Sequence, residues 1–224
     1  DNNYILDSNV IIHNSEGADG YTRSVWINGG ANNVIRNVVS SNNYGDTAMG
    51  FRITGVNNSL TDVVANNNTG VSASAVGIYI DSANCSMSNV TANSNGYRGI
   101  YMGGSGCSIN NFSVHSNGEF GIHLLGGDNN NFTNGNISGS GDKDVWLSST
   151  ATNNIFLNVS YSNETVQAGS YLIRKWYYRA NVTDNSSGSG VVANVSAWNS
   201  SGILQFSEMT GSDGLGSLGS LIDY

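Results

Sequence analysis

Short apolar triplets with a variable middle residue recur along the chain. They are Val25-Trp26-Ile27, Phe51-Arg52-Ile53, Ile78-Tyr79-Ile80, Ile100-Tyr101-Met102, Ile122-His123-Leu124 and Val145-Trp146-Leu147. Their first residues are spaced by 26, 27, 22, 22 and 23. A second apolar series runs between them, beginning at Ile35, Leu60, Met87, Ile109, Phe132 and Phe156, with spacings of 25, 27, 22, 23 and 24. Two series locked to one period predict at least two strands per repeat, and Tyr4 through Val10 reads as an earlier, looser copy. Nothing in the pattern has a helical period. Asn-Asn pairs mark one corner in four of the repeats, and Asn-Gly or Asn-x-Gly marks the other corner in four, where the chain must turn in the left-handed region.

A two-strand unit of this length predicts a parallel β-solenoid, each strand pairing with its equivalent roughly 4.8 Å away in the next rung. Interior strands of such a stack donate on both sides, so the absence of proline from all 224 residues fits. The 35 asparagines are expected mainly at corners, hydrogen-bonding from rung to rung. The connection into the triplet strand is long in the first three copies, and insertions on one side of a solenoid often line its binding face. The predicted fold is all-β: a parallel β-helix of about 6–7 rungs over residues 1–165, then a small antiparallel β-sandwich-like module over 166–224.

Within each triplet the flanking residues point inward and the middle one outward. This gives an outward column of Trp26, Arg52, Tyr79, Tyr101, His123 and Trp146. Two readings stand: flat aromatic faces that hold sugar rings, or an interface for packing within or between molecules. Cys85 and Cys107 precede Met87 and Ile109 by two residues, at equivalent inward positions of adjacent rungs. They are read either as a disulfide or as two stacked, buried thiols. No third ligand lies near them, so no metal site is expected.

Charged residues make up only 11%, and the net charge is −8, which speaks against a nucleic-acid partner. Hydrophobic residues at 38%, regularly spaced, are enough for a folded core. No apolar run approaches the roughly 18 residues of a membrane-spanning helix. The chain opens in mid-pattern without an initiator methionine or leader, as a mature product or a fragment would. Asn-x-Ser/Thr acceptor triplets occur at Asn57, Asn67, Asn84, Asn89, Asn111, Asn131, Asn136, Asn158, Asn163, Asn181, Asn185, Asn194 and Asn199. They point to an extracellular or cell-surface glycoprotein.

The text N-G-x-x-G-I-x-[ILM] at Asn95–Met102 and Asn117–Leu124, with N-N-x-[IF] at the other corner, resembles the right-handed parallel β-helix repeats of the pectate-lyase-like superfamily. That resemblance implies a fold and no single activity, because the superfamily holds polysaccharide lyases and hydrolases, phage tailspikes and non-catalytic surface proteins. The frame V-T-D, V-A-N-V, N-S-S-G, T-G-S-D-G after residue 180 resembles Ig-like modules that follow β-helix repeats in archaeal and bacterial surface proteins. The acids and imidazoles that lyases and hydrolases of this fold use are not grouped here: Asp46, Asp62, Asp81 and Asp128 are scattered, His13, His115 and His123 lie in different repeats, and Asp142-Lys143-Asp144 reads as a solvated corner. The sequence therefore reads as a non-catalytic structural or adhesive surface protein, a sheath, array or filament subunit. It is expected to self-associate, to need no cofactor, and to have glycans as a second class of partner. The alternatives are a carbohydrate-binding or polysaccharide-cleaving β-helix and a tailspike fragment.

Overall fold

The computed structural model describes residues 21–71 and 74–223, together with the backbone of the strands Tyr4–Ile5 and Val10–His13. His13, on the second of these strands, has its side chain outside the described residues, as does the first long connection up to residue 20. Two compact units form, Asp1–Ile173 and Arg174–Tyr224.

The first unit is a stack of rungs. Its triplet sheet contains Tyr21–Ile27, Thr47–Val56, Val76–Ala83, Arg98–Met102, Phe120–Leu125 and Lys143–Ser148, all parallel, and closes with the short strand Glu164–Val166. These six longer strands are counted below as the first to sixth rungs. The facing sheet runs through Val34–Ser41, Ser59–Val64, Ser86–Thr91, Ser108–His115, Asn131–Ser138 and Asn154–Ser160, again all parallel. A third, minor ladder pairs Tyr44–Gly45 with Thr69–Gly70 at one corner.

Inward residues of the two sheets meet in one continuous core. Ile53, Ile78, Ile80, Ile100, Met102, Ile122 and Leu124 from the triplet sheet are fully buried, as are Ile35, Leu60, Phe132 and Phe156 from the other. Each touches equivalents one rung away, so stability is built mainly from neighbour-to-neighbour contacts. The corners have a polar core of their own. Asn43 donates its side-chain amide to Asn68 Oδ1 at 2.6 Å, Asn68 to Asn95 at 2.8 Å, and Asn95 to Asn117 at 3.1 Å. All four are buried. At the opposite corner Asn33, Asn58, Asn130 and Asn154 are buried, Asn33 donating to Asn58 Oδ1 at 2.9 Å. Cys107 occupies one step of that corner, its backbone N–H donating to Asn130 Oδ1 at 2.9 Å. Outside these ladders, Asn57, Asn84, Asn129 and Asn153 take φ between +55° and +58°, a conformation asparagine tolerates better than most residues.

Cys85 and Cys107 are free thiols, stacked and buried. The Cys85 N–H points at Cys107 Sγ at 3.2 Å, and Ser82 contacts both sulfurs. The hydrogen bond from Cys107 lowers the Cys85 thiol to about 7, while that same bond and burial push Cys107 up.

The second unit contains two antiparallel pairs. Lys175–Tyr178 joins Gly219–Ile222, and Asn194–Trp198 joins Leu204–Met209. Phe206 packs on Tyr178 with ring centroids 4.6 Å apart. Asp184 caps its own turn through Ser186 and Ser187, and those hydrogen bonds hold its carboxyl far below the ordinary range.

Candidate binding face

The outward column exists in register. Trp26 pairs with Arg52, Arg52 with Tyr79, Tyr79 with Tyr101, Tyr101 with His123, and His123 with Trp146. Tyr79 and Tyr101 have ring centroids 4.9 Å apart, Tyr101 and His123 5.0 Å, and His123 and Trp146 4.1 Å at only 17° between planes.

Beside it stands a second outward column that the triplet pattern does not reveal: Arg23, Met49, Val76, Arg98, Phe120 and Lys143. These residues lie three positions before the first column. Between the columns comes Gly50, Gly77, Gly99 or Gly121. A Cβ on Gly77 would meet Gly99 O at 2.8 Å, and one on Gly99 would meet Gly121 O at 2.8 Å. These glycines therefore let neighbouring backbones approach closely inside a continuous strand. The repeated offset of Arg or an aromatic residue before glycine was the available signal, hidden because the glycine reads as a turn.

Cations and rings interleave across the face. Arg23 lies 4.8 Å from the Trp26 ring, Arg52 5.7 Å from Trp26 and 5.4 Å from Tyr79, and Arg98 4.4 Å from Tyr101 and 4.1 Å from Tyr97. Such pairings contribute about 0.5–1 kcal/mol each where solvent reaches them. The Nε atoms of all three arginines are buried against the rings without a hydrogen bond, and none of the three guanidiniums joins an ion pair among the described residues. Arg23, Arg52 and Arg98 line one open cavity of about 220 Å³ with Tyr21, Tyr79 and Tyr101. A second cavity of about 320 Å³ lies beside Trp146, edged by Glu119, Phe120, Asp142, Lys143 and Gln167. A third, about 270 Å³, adjoins Trp26.

His123 departs from the expectation of an exposed outward residue: only 2% of it is accessible. Tyr101, Phe120 and Trp146 cover its ring, and Nε2 meets the Ser148 hydroxyl at 2.8 Å. Burial depresses its titration from 6.5 to about 3, with Arg98 adding to the effect. It is therefore neutral at physiological pH and fills space. The unfolded chain takes up this proton below 6.5, and the folded one only near 3. Stability from this group is complete above pH 6.5 and falls as pH drops from 6.5 towards 3. Urea midpoints measured between pH 7 and pH 4 are expected to fall less steeply in His123→Phe than in the parent.

The acidic turn also differs from its sequence reading. Asp142 is exposed beside Lys143 at 3.5 Å, but Asp144 is buried and accepts from the Ser140 and Ser162 amides at 3.3 and 2.9 Å. It ties the turn together. Glu119 and Asp142 sit on adjacent rungs, the Asp142 N–H donating to Glu119 O at 2.8 Å. Loss of solvent chiefly raises the Glu119 carboxyl, Asp142 adds to the rise, and Arg98 opposes it. Among the described residues no group of three His, Cys, Asp or Glu side chains is arranged to hold a metal ion.

The acceptor asparagines divide by geometry. Asn89 donates to Asp62 and Asn111 to Asn89, both at 2.7 Å, and Asn158 donates to Asn134 at 2.9 Å, so these amide nitrogens are engaged in surface ladders. Asn163 donates to Asp142 O at 3.2 Å. Asn57, Asn67, Asn84, Asn131 and Asn136 are exposed on the first unit, and Asn181, Asn185, Asn194 and Asn199 on the second.

With stacked parallel rungs and two outward columns in place, the class is defined: the chain belongs to the right-handed β-helix family. The family profile "Right handed beta helix region" matches residues 49–210. Among solved structures, pectate lyase Pel9A is similar at 16% identity and a TM-score of 0.51, over 74% of this chain and 48% of that one. The chain thus spans about half the length of that enzyme, and the likeness is one of fold. The enzymatically active domain of bacteriophage CBA120 tailspike protein 2 aligns at 12% identity and a TM-score of 0.38, over 63% of this chain and 24% of that one. No curated protein sequence matches the chain.

Proposed function

We propose that this chain is the rod of a non-catalytic, extracellular adhesive glycoprotein that holds a polysaccharide along the face bearing Trp26, Tyr79, Tyr101 and Trp146. The observation that carries the reading is the in-register column itself. Its partly exposed rings lie on the first, third, fourth and sixth rungs, next to open cavities. Flat apolar faces with polar edges suit sugar rings, and contiguous exposed aromatic surface usually marks a contact. The lyase named among the similar structures supports a polysaccharide as the ligand class. The acceptor asparagines support a surface location, and assembly into a sheath or array belongs to the same proposal.

Glycan-array binding followed by titration calorimetry tests the reading. Tyr79→Ala, Tyr101→Ala and Trp26→Ala are each expected to weaken binding by about tenfold, as truncation of an aromatic anchor does. Binding that is unchanged in all three variants would remove it.

A cleaving β-helix is the second reading, favoured by one observation. Glu119 and Asp142 hold equivalent positions on adjacent rungs beside Trp146, and a pair of carboxyl groups is what glycosidases use. Release of new reducing ends from a bound polysaccharide, lost in Glu119→Gln, would favour it over the first.

A further inference from the structure

Positive charge is concentrated on one stretch of the binding face. The chain carries 16 acidic residues against eight Lys and Arg, yet three of the eight, Arg23, Arg52 and Arg98, line a single open cavity. Tyr21, Tyr79 and Tyr101 supply rings beside them, Thr47 and Ser74 supply hydroxyls, and no carboxylate is among the lining residues. Glu119 acts on Arg98, and Asp81 on Tyr79 and Tyr101, from outside that lining. The Nε of each of these arginines is buried against the rings without a hydrogen bond, and it is the only guanidinium nitrogen so enclosed. The outer nitrogens of each fork are therefore the ones left to meet a ligand.

Arg23 stands on the first rung, Arg52 on the second and Arg98 on the fourth. They spread over three rung steps, roughly 14 Å at roughly 4.8 Å per step. A single small anion cannot reach all three, whereas a polymer bearing several anionic groups can. A guanidinium laid on an aromatic face has also given up part of an already weak hydration shell. It pairs best with an anion that is itself weakly hydrated, because little water is then stripped from either side. A sulfate ester meets this condition, stays ionised at any physiological pH and offers three acceptor oxygens. A carboxylate holds its water more firmly.

Resting on the glycan-holding reading above, we infer that this cavity makes the face selective for a sulfated polysaccharide, its sulfate esters pairing with Arg23, Arg52 and Arg98 while sugar rings lie on Tyr79 and Tyr101. Cations and rings form one surface here: Arg52 lies between Trp26 and Tyr79, and Arg98 against Tyr101. A sulfate on a sugar seated at Tyr79 or Tyr101 is thereby within reach of a guanidinium. Elsewhere on the chain the excess of acid repels such a polymer, which confines it to this face.

Calorimetry at low salt on the full chain compares three length-matched probes: κ-carrageenan oligosaccharides, with a sulfate ester on every second sugar; the same oligosaccharides after desulfation; and oligogalacturonate, with a carboxylate on every sugar. The sulfated probe is expected to bind about tenfold tighter than its desulfated form, and tighter than oligogalacturonate despite that probe's higher charge. Arg52→Gln and Arg98→Gln are each expected to weaken the sulfated probe by about fivefold and to leave the desulfated one unchanged. Arg52→Lys, which keeps the charge without the planar fork, is expected to lie between parent and Arg52→Gln. Arg36 is exposed on the facing sheet, and Arg36→Gln is expected to change neither probe. Equal binding of the sulfated and desulfated probes, tighter binding of oligogalacturonate, or sulfate selectivity untouched by both arginine-to-glutamine variants on the binding face overturns the inference and leaves glycan binding standing. A glycan array on which only unsulfated members bind does the same. If none of the three probes binds and the array is blank, the glycan-holding reading itself falls.

Discussion

Asn95→Ala is expected to lower the unfolding free energy by about 3–5 kcal/mol in urea titration, as two or more buried polar groups lose their partners at about 1–3 kcal/mol each. The side chain of Asn95 sits inside the corner, 1% accessible. Its oxygen accepts from the backbone N–H of Asn68 at 3.1 Å and from the Asn68 amide at 2.8 Å. Its nitrogen donates to Ala65 O at 2.9 Å and to Asn117 Oδ1 at 3.1 Å. Alanine leaves a backbone donor and a backbone acceptor stranded away from water. The matched control is Asn110→Ala. Asn110 is exposed and accepts one surface bond from Asn134 at 3.1 Å, so its loss is expected to cost under about 1 kcal/mol. Similar losses for the two variants would mean that the buried ladder contributes little.

Phe132→Ala is expected to cost about 3–5 kcal/mol, the usual toll for truncating a fully buried aromatic ring that cannot be replaced by collapse. Phe132 is inaccessible, its ring 5.9 Å from Phe112 on one side and 4.6 Å from Phe156 on the other. The stack is arranged around a glycine. Gly135 lies opposite Phe112, and a Cβ there would meet the Phe112 ring at 2.0 Å. The Phe112 ring thus occupies space that a larger residue at 135 would take, and the neighbouring rungs have little freedom to move into a void at 132. Because each rung leans mainly on its neighbours, the variant is also expected to broaden the transition, seen as a lower urea m-value. An unchanged m-value with a loss below about 2 kcal/mol would indicate that the site collapses after all.

The fold was legible because a β-helix writes its period into the chain. The triplet series located the strands of all six triplet rungs, the Asn-rich pairs located most of the corners, and the outward column from Trp26 to Trp146 aligned as spaced. What the triplets could not carry is the second column. Met49, Val76, Arg98 and Phe120 lie across a glycine from the triplets, and only the backbone approach at Gly77 and Gly99 explains why the strand runs straight through. The covering of His123 depends on rings from three rungs converging, a three-dimensional fact with no local signature. Asp144 looked exposed because its neighbours Asp142 and Lys143 are polar; its partners Ser140 and Ser162 are brought together by the turn.

The uneven spacing of the repeats has a consequence for how such a chain can change. Rungs are interchangeable parts: residues 95–116 and 117–138 follow one template, with Asn95 and Asn117 as the same step of one ladder. Duplicating a rung would extend the rod without disturbing the core. It would also carry every outward side chain beyond the insertion roughly 4.8 Å further along the rod. Length in this architecture is cheap to alter, whereas the distance between outward rings on either side of the insertion is not kept.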